Sequence, residues 1–436
     1  KAYTASDGDS ISFKTINGKK YTFDDEGQML WGWIDTNGDR VTDDEGWKDG
    51  VYYCGTADDG AQVTGWAQLH VVDDEVETRF DGSQDEEEQD YWFYFNSNGK
   101  RVQADEAEDG KYVTKTINGH KYAFDKDGVM AFEWNDGFAT EDSTDPTASV
   151  ADWQYYNDRT AGNRAKGWFY EVPSENLHQD EYDDGTAHWY YAKNDGTLYT
   201  NVIKTINGKK YAFNNYGEML SGLQAIKTDE NGIITWSQKI DEESEIDEYI
   251  DVNASRYAGN DGYDVYYFGD GDDGAMKLNS QNIDIDGEVY NFYFVKSGEN
   301  KGKGFGTASV YDEYTINNEV ASGGVVDKTF VYDDKAVYVN GLKVTADSDL
   351  RYQAVDITTG KTYNRNEVAA MEGDAKANNL VLINASGSIM KNKSSVKDGD
   401  DYYYSTNKYG VITAIGSEKE GLDADDEDFA KYNKYD

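Results

Sequence analysis

The chain has 436 residues, with 41 basic side chains against 85 acidic ones, a formal net charge of −44. Binding phosphate needs a positive surface, so this balance speaks against nucleic acid and against an anionic membrane as partners. The single cysteine, Cys54, leaves no intrachain disulfide, and no apolar run is long enough to insert into a membrane.

There are 36 Tyr, 16 Phe and 10 Trp. These rings pack while keeping a polar tip free, so the composition predicts a thin, extended core rather than a thick aliphatic one. The 44 Gly and 2 Pro suit many tight turns. A chain opening at Lys1 without Met is expected to be a mature or trimmed product.

Taken in order, the chain repeats itself. "KTINGKKYTF" starts at Lys14, "KTINGHKYAF" at Lys115 and "KTINGKKYAF" at Lys204. In each, Asn-Gly predicts a type I′ turn ahead of an aromatic strand. A Gly-containing turn and a short apolar stretch follow, as in "DDEGQML" from Asp24. Strand, turn and strand make a hairpin. A second kind of unit reads "GVYYCGTADDGAQVTGW" from Gly50 and "WQYYNDRTAGNRAKGW" from Trp153. A third reads "DYWFYFNSNGKRVQ" from Asp90 and "HWYYAKNDGTLYTN" from His188. No segment sustains an apolar period of 3.6, so almost no helix is expected.

Acidic insertions interrupt the hairpins at 70–90, 171–188 and 238–263, read as loops or β-extensions. One short helix is expected near Asn366–Gly373. One hairpin buries too little to stand alone, whereas stacked hairpins cover one another's faces. The fold class predicted is therefore all-β, a β-solenoid of stacked short hairpin repeats with acidic loop insertions. Residues 1–306 form about three triplets of repeats, 307–419 degenerate repeats, and 420–436 an acidic tail.

The pattern Gly-Trp, aromatic strand, Asn-Gly, Met resembles the cell-wall-binding repeats of Gram-positive surface proteins, of choline-binding and glucan-binding type. The resemblance covers the first two thirds best. It implies a ligand pocket between consecutive hairpins, walled by the Trp of a Gly-Trp, by aromatics of the next strand and often by a Met. The matching positions are Trp33 with Tyr52 and Tyr53, Trp66 with Trp92 and Tyr94, Trp134 with Tyr155 and Tyr156, and Trp168 with Trp189, Tyr190 and Tyr191. Glu133 replaces the glycine before Trp134, and Leu223 stands where the Trp following the third KTING copy would be. Such pockets could hold a quaternary ammonium by cation–π attraction or stack on a sugar.

The partners implied are cell-wall polysaccharide, teichoic acid choline or glucan. Copies of the chain itself are the alternative, as a structural fibre or spacer. The expected location is secreted, at the cell surface or wall.

Metal ligation and catalysis are expected to be absent, and no cofactor is expected. "DTNGDRVTDDEG" from Asp35 begins like a calcium loop but has Arg40 and Gly46 where that loop wants Gly and an acid. His178 and His188 fit no zinc spacing and are read as facing solvent. No nucleophile–base motif or phosphate loop occurs. If an enzyme were involved, its catalytic domain would lie upstream in a longer precursor.

Overall fold

The computed structural model describes residues 11–76, 86–105, 112–135, 150, 153–307, 310, 330–370 and 380–419. The acidic tail 420–436 lies outside the described residues, as do the middle of the first insertion and most of 307–329.

The chain divides into two compact units, Lys1–Thr200 with Asn215–Glu218, and Asn201–Asn214 with Met219–Asp436. Both are all-β and consist of small antiparallel sheets. The first unit holds the hairpins Lys14–Ile16/Lys19–Tyr21, Gly65–Val72/Glu88–Phe95, Val113–Ile117/His120–Phe124, Glu133–Asn135/Gln154–Tyr156 and Gly167–Glu171/His188–Ala192. It also holds a three-stranded sheet of Gly32–Ile34, Tyr52–Thr56 and Asp59–Gln62.

The second unit opens on the hairpin Val202–Ile206/Lys209–Phe213 and continues with larger sheets. One has five strands, running in the order Asn279–Ile285, Glu288–Phe294, Leu342–Lys343, Ala336–Val339 and Val331–Tyr332.

The KTING turns form as predicted. Asn17, Asn118 and Asn207 all have φ near +50°, and the following glycines have φ of +83° to +86°. Two positive φ values in a row are the type I′ signature, whose twist matches the flanking strands. Each aromatic strand then closes on its Met through a bridge, Phe23 to Met29, Phe124 to Met130 and Phe213 to Met219.

Two contacts couple one hairpin to the next. A backbone amide crosses over, as from Met130 to the Trp92 carbonyl at 2.9 Å, from Arg164 to Lys121 at 2.8 Å, and from Met276 to Lys210 at 2.8 Å. A methionine also lies against a glycine of a following turn. A Cβ on Gly162 would stand 2.1 Å from Met130 Cε, one on Gly274 2.2 Å from Met219 Cε, and one on Gly302 2.1 Å from Met276 Sδ.

The core differs between the units. In the first it is aromatic, with Tyr91, Phe93 and Phe95 buried beside Trp47. In the second it is largely aliphatic, built on Val337, Val355, Val381, Ile383 and Val411. The expectation of a thin aromatic core is thus corrected there. Sheets of three to five strands present enough continuous face for β-branched side chains to pack.

Helix is sparse, but two insertions read as loops or β-extensions contain some. These are Gln179–Asp183, Glu243–Glu245 and a π-turn at Ile246–Ile250. The last turn buries Ile246 and Ile250, two apolar residues in an acidic stretch. The helix Arg365–Ala370 falls where one was expected.

Gly162→Ala combines a strained left-handed residue with displacement of a buried methionine, and is expected to cost about 2–4 kcal/mol. Gly119→Ala, with nothing within 4 Å of the added carbon, is expected to cost about 1–2 kcal/mol. Urea midpoints of the two variants check this. A second expectation concerns alkali. Burial raises the phenol pKa of Tyr155, Tyr190, Tyr266 and Tyr404, and pushes Tyr156 up to about 12. A raised folded pKa adds stability that is full below the unfolded value near 10 and is lost as pH climbs through the folded value. Tyrosinate absorbance should therefore rise in two stages, the second together with loss of the β circular dichroism signal. A single stage with the fold intact would contradict it.

Candidate functional site

Side chains alternate along a strand, so adjacent aromatics serve opposite faces. This rule sorts the candidate residues. Trp33 meets Tyr53 edge-on at 5.2 Å, while Tyr52 turns away to meet Phe13 at 5.2 Å. Trp33 is further enclosed by Phe93 at 5.1 Å and by the Arg101 guanidinium at 5.3 Å. Gly50 lies on it so closely that a Cβ there would stand 2.6 Å from its ring. The chain itself fills this slot.

The same holds at Trp134. Its ring meets Tyr155 at 5.2 Å, Phe169 at 5.6 Å and Tyr190 at 4.9 Å, and its indole N–H donates to the Val172 carbonyl at 2.7 Å. Tyr155 is 6% exposed and Tyr190 0%. Tyr155 donates its hydroxyl hydrogen to Glu171 at 2.6 Å. Tyr156 lies on the other face, buried beside Ala123 and Ala131, and donates to Gln154 at 3.0 Å. Tyr190, grouped with Trp168 by sequence, belongs instead to the Trp134 assembly.

Glu133 occupies the position that Gly32, Gly65 and Gly167 fill in sister hairpins, all at positive φ, and it too is left-handed at φ +53°. A Cβ is strained there, so Glu133→Gly is expected to raise stability by about 1 kcal/mol. A shift of the urea midpoint to higher denaturant would show it.

Trp66 and Trp168 differ in their neighbours. Trp66 is half-buried, like Trp33 and Trp134, but so are Trp92, Tyr94 and Tyr122 around it. The ring centroids lie 6.2, 5.1 and 4.8 Å from Trp66, with interplanar angles of 85°, 74° and 67°. Phe124 and Met130 are buried in the same cluster. Four partly accessible rings in near-perpendicular pairs thus lie together. Trp168 repeats part of this, with Trp189 at 6.4 Å and Tyr191 at 5.1 Å, both at 85°. Tyr170, 52% exposed, flanks Trp189 at 5.2 Å.

Sequence reasoning missed Tyr122, which belongs to the second KTING copy. The signal was available, since Tyr-x-Phe places Tyr122 and Phe124 on one face and Ala123 on the other.

Leu223 leaves no vacancy. It is 1% exposed and packs with Ile240, Val265 and Tyr267. Beside it lies an open cleft of about 270 Å³ whose walls include Asp241, Asp270, Asp284, Asp286 and Lys239.

His178 and His188 do not face solvent freely, which corrects that expectation. The insertion's helix brings Glu181 to His188, and Glu218, from the turn after the third KTING copy, reaches His178. His178 Nδ1 lies 2.6 Å from Glu218, its ring stacked on Tyr216 at 3.7 Å. His188 Nε2 lies 3.1 Å from Glu181 and 4.0 Å from Glu218. Burial acts to raise the Glu181 pKa, but the hydrogen bond to His188 and the two imidazoles hold it below the usual range.

Among the described residues, three carboxylates approach within 4.8 Å at Glu45, Asp73 and Asp74. The Lys48 ammonium sits among them, 2.6 Å from Glu45 and 2.7 Å from Asp74. The Asp35 carboxylate, first in the calcium-like stretch, accepts the amides of Gly38 and Asp39 at 2.9 and 2.8 Å. Burial pushes the Cys54 thiol up to about 12, which keeps it un-ionised at neutral pH.

The chain is similar to choline-binding proteins of Streptococcus pneumoniae. CbpJ aligns over 92% of this chain and 100% of its own, at 16% identity and a TM-score of 0.44. Choline binding protein F, solved in the presence of a peptidoglycan analogue, aligns over 92% of this chain and 98% of its own, at 19% identity and a TM-score of 0.42. Among curated proteins, Glucosyltransferase-I of Streptococcus downei is 26% identical over 254 residues, 56% of this chain. The chain spans only 15% of that enzyme's length. No family model matches.

Proposed function

We propose that the chain is a non-catalytic cell-surface module that binds a choline-bearing wall polymer through the aromatic cage around Trp66, with a related site at Trp168. The carrying observation is the set of four half-buried rings, Trp66, Trp92, Tyr94 and Tyr122, meeting at 67° to 85°. Rings set at right angles present π faces to a compact cation from several sides, whereas a sugar needs one flat platform. The net charge of −44 adds long-range attraction for a cation.

Trp33 and Trp134 are scaffold in this account, because their slots hold the chain's own rings. Successive hairpins within each unit are read as a β-solenoid, regular to about residue 306 and degenerate beyond. Glucan is the alternative ligand, favoured by the exposed Tyr170–Trp189 pair. A self-associating spacer would use none of these rings.

The test is retention of the intact chain on immobilised choline, with tryptophan fluorescence titrated by free choline. Trp66→Ala should weaken choline binding about ten-fold, the range of a partly desolvated cation–π contact with several rings. No retention and unaltered fluorescence would refute the assignment. Retention on α-glucan in place of choline would favour the alternative.

A further inference from the structure

The second KTING copy brings a lysine to the Trp66 cage. Lys115 pairs across the hairpin with Tyr122, so both side chains project from one face. Its ammonium lies 5.7 Å from the Tyr94 ring centroid and donates to Asn96 Oδ1 at 2.8 Å. Tyr94 and Tyr122 are two of the cage walls, 5.1 and 4.8 Å from Trp66. Lys115 is half-buried.

Lys19, Lys48, Lys126, Lys227 and Lys277 each pair with a carboxylate. Among the described residues Lys115 has no carboxylate within ion-pair distance, and its ammonium meets a neutral amide and a ring face. A fixed positive charge here repels a bare cation in the cage. The same charge attracts a ligand whose ammonium carries an anionic group a few bonds away.

Building on the cage assignment above, we propose that Lys115 is a specificity-determining residue that makes the Trp66 cage select a zwitterion, a quaternary ammonium bearing a phosphoester, over a free quaternary ammonium. The rings take the ammonium, and Lys115, steadied by Asn96, takes a phosphate oxygen. A charge-assisted hydrogen bond to phosphate is stronger than a neutral one and weakens with salt.

The experiment titrates the full chain with choline and with phosphocholine at low ionic strength, following tryptophan fluorescence. It uses a Trp168→Ala background so that one cage reports. The parent should prefer phosphocholine about ten-fold. Lys115→Gln should bring the two affinities within about two-fold, choline binding as well as before or better. Lys115→Arg, which keeps the charge, should retain the preference, and urea midpoints identify any variant that has lost its fold. An equal preference in parent and Lys115→Gln overturns the role of Lys115 while leaving the cage in place. Failure of both ligands to bind the parent overturns the cage assignment and this inference with it.

Discussion

The structure depends on the contact between one hairpin and the next. Strands of two to eight residues bury too little to stand alone, so each aromatic face must be completed by a neighbour. A crossing amide sets the spacing, and a methionine lying on a glycine sets how closely the turns approach. Met130 against Gly162 serves the first unit, and Met219 against Gly274 the second. With that spacing fixed, strand alternation decides which rings meet. Trp189 and Tyr191 go to Trp168, and Tyr190, between them, goes to Trp134.

Much of the fold was legible because turn chemistry is local. Asn-Gly requires two left-handed residues, and the three KTING turns adopt them. The aliphatic core of the second unit was harder to see. Its valines and isoleucines are scattered over distant strands, and they meet only where the five-stranded sheet packs with the sheet of Tyr352–Asp356 and Leu380–Asn384. Helix in the insertions was hidden for a related reason. Five residues cannot display a period, and the π-turn at Ile246–Ile250 shows only two buried apolar positions.

The candidate site was legible as a list of rings and less so as groups. Gly-Trp and paired aromatics mark rings that do come into contact, but taking consecutive aromatics as one pocket ignores the alternation of the strand. Tyr52 and Tyr156 were misgrouped for that reason. Tyr122 does not stand out in sequence, because the decapeptide that carries it is nearly identical in all three copies. Lys115 is indistinguishable in sequence from Lys14 and Lys204, and only the folded chain shows that among the described residues its ammonium meets Asn96 and Tyr94 rather than a carboxylate. His178 and His188 could not be placed from spacing, since Glu218 reaches His178 from 40 positions away.

Alternation has an evolutionary corollary. Neighbouring codons in these strands govern separate chambers, so a substitution that remodels one leaves the other's lining unchanged. A duplicated array of this kind can drift chamber by chamber. One copy can fill its tryptophan slot with packing, as at Trp134, and another can carry a buried leucine in that place, as at Leu223, while the rings around Trp66 stay partly accessible. Glu133 shows the cost such independence tolerates: left-handed where Gly32, Gly65 and Gly167 stand in sister hairpins, it carries a modest conformational strain beside a slot the chain's own rings already fill.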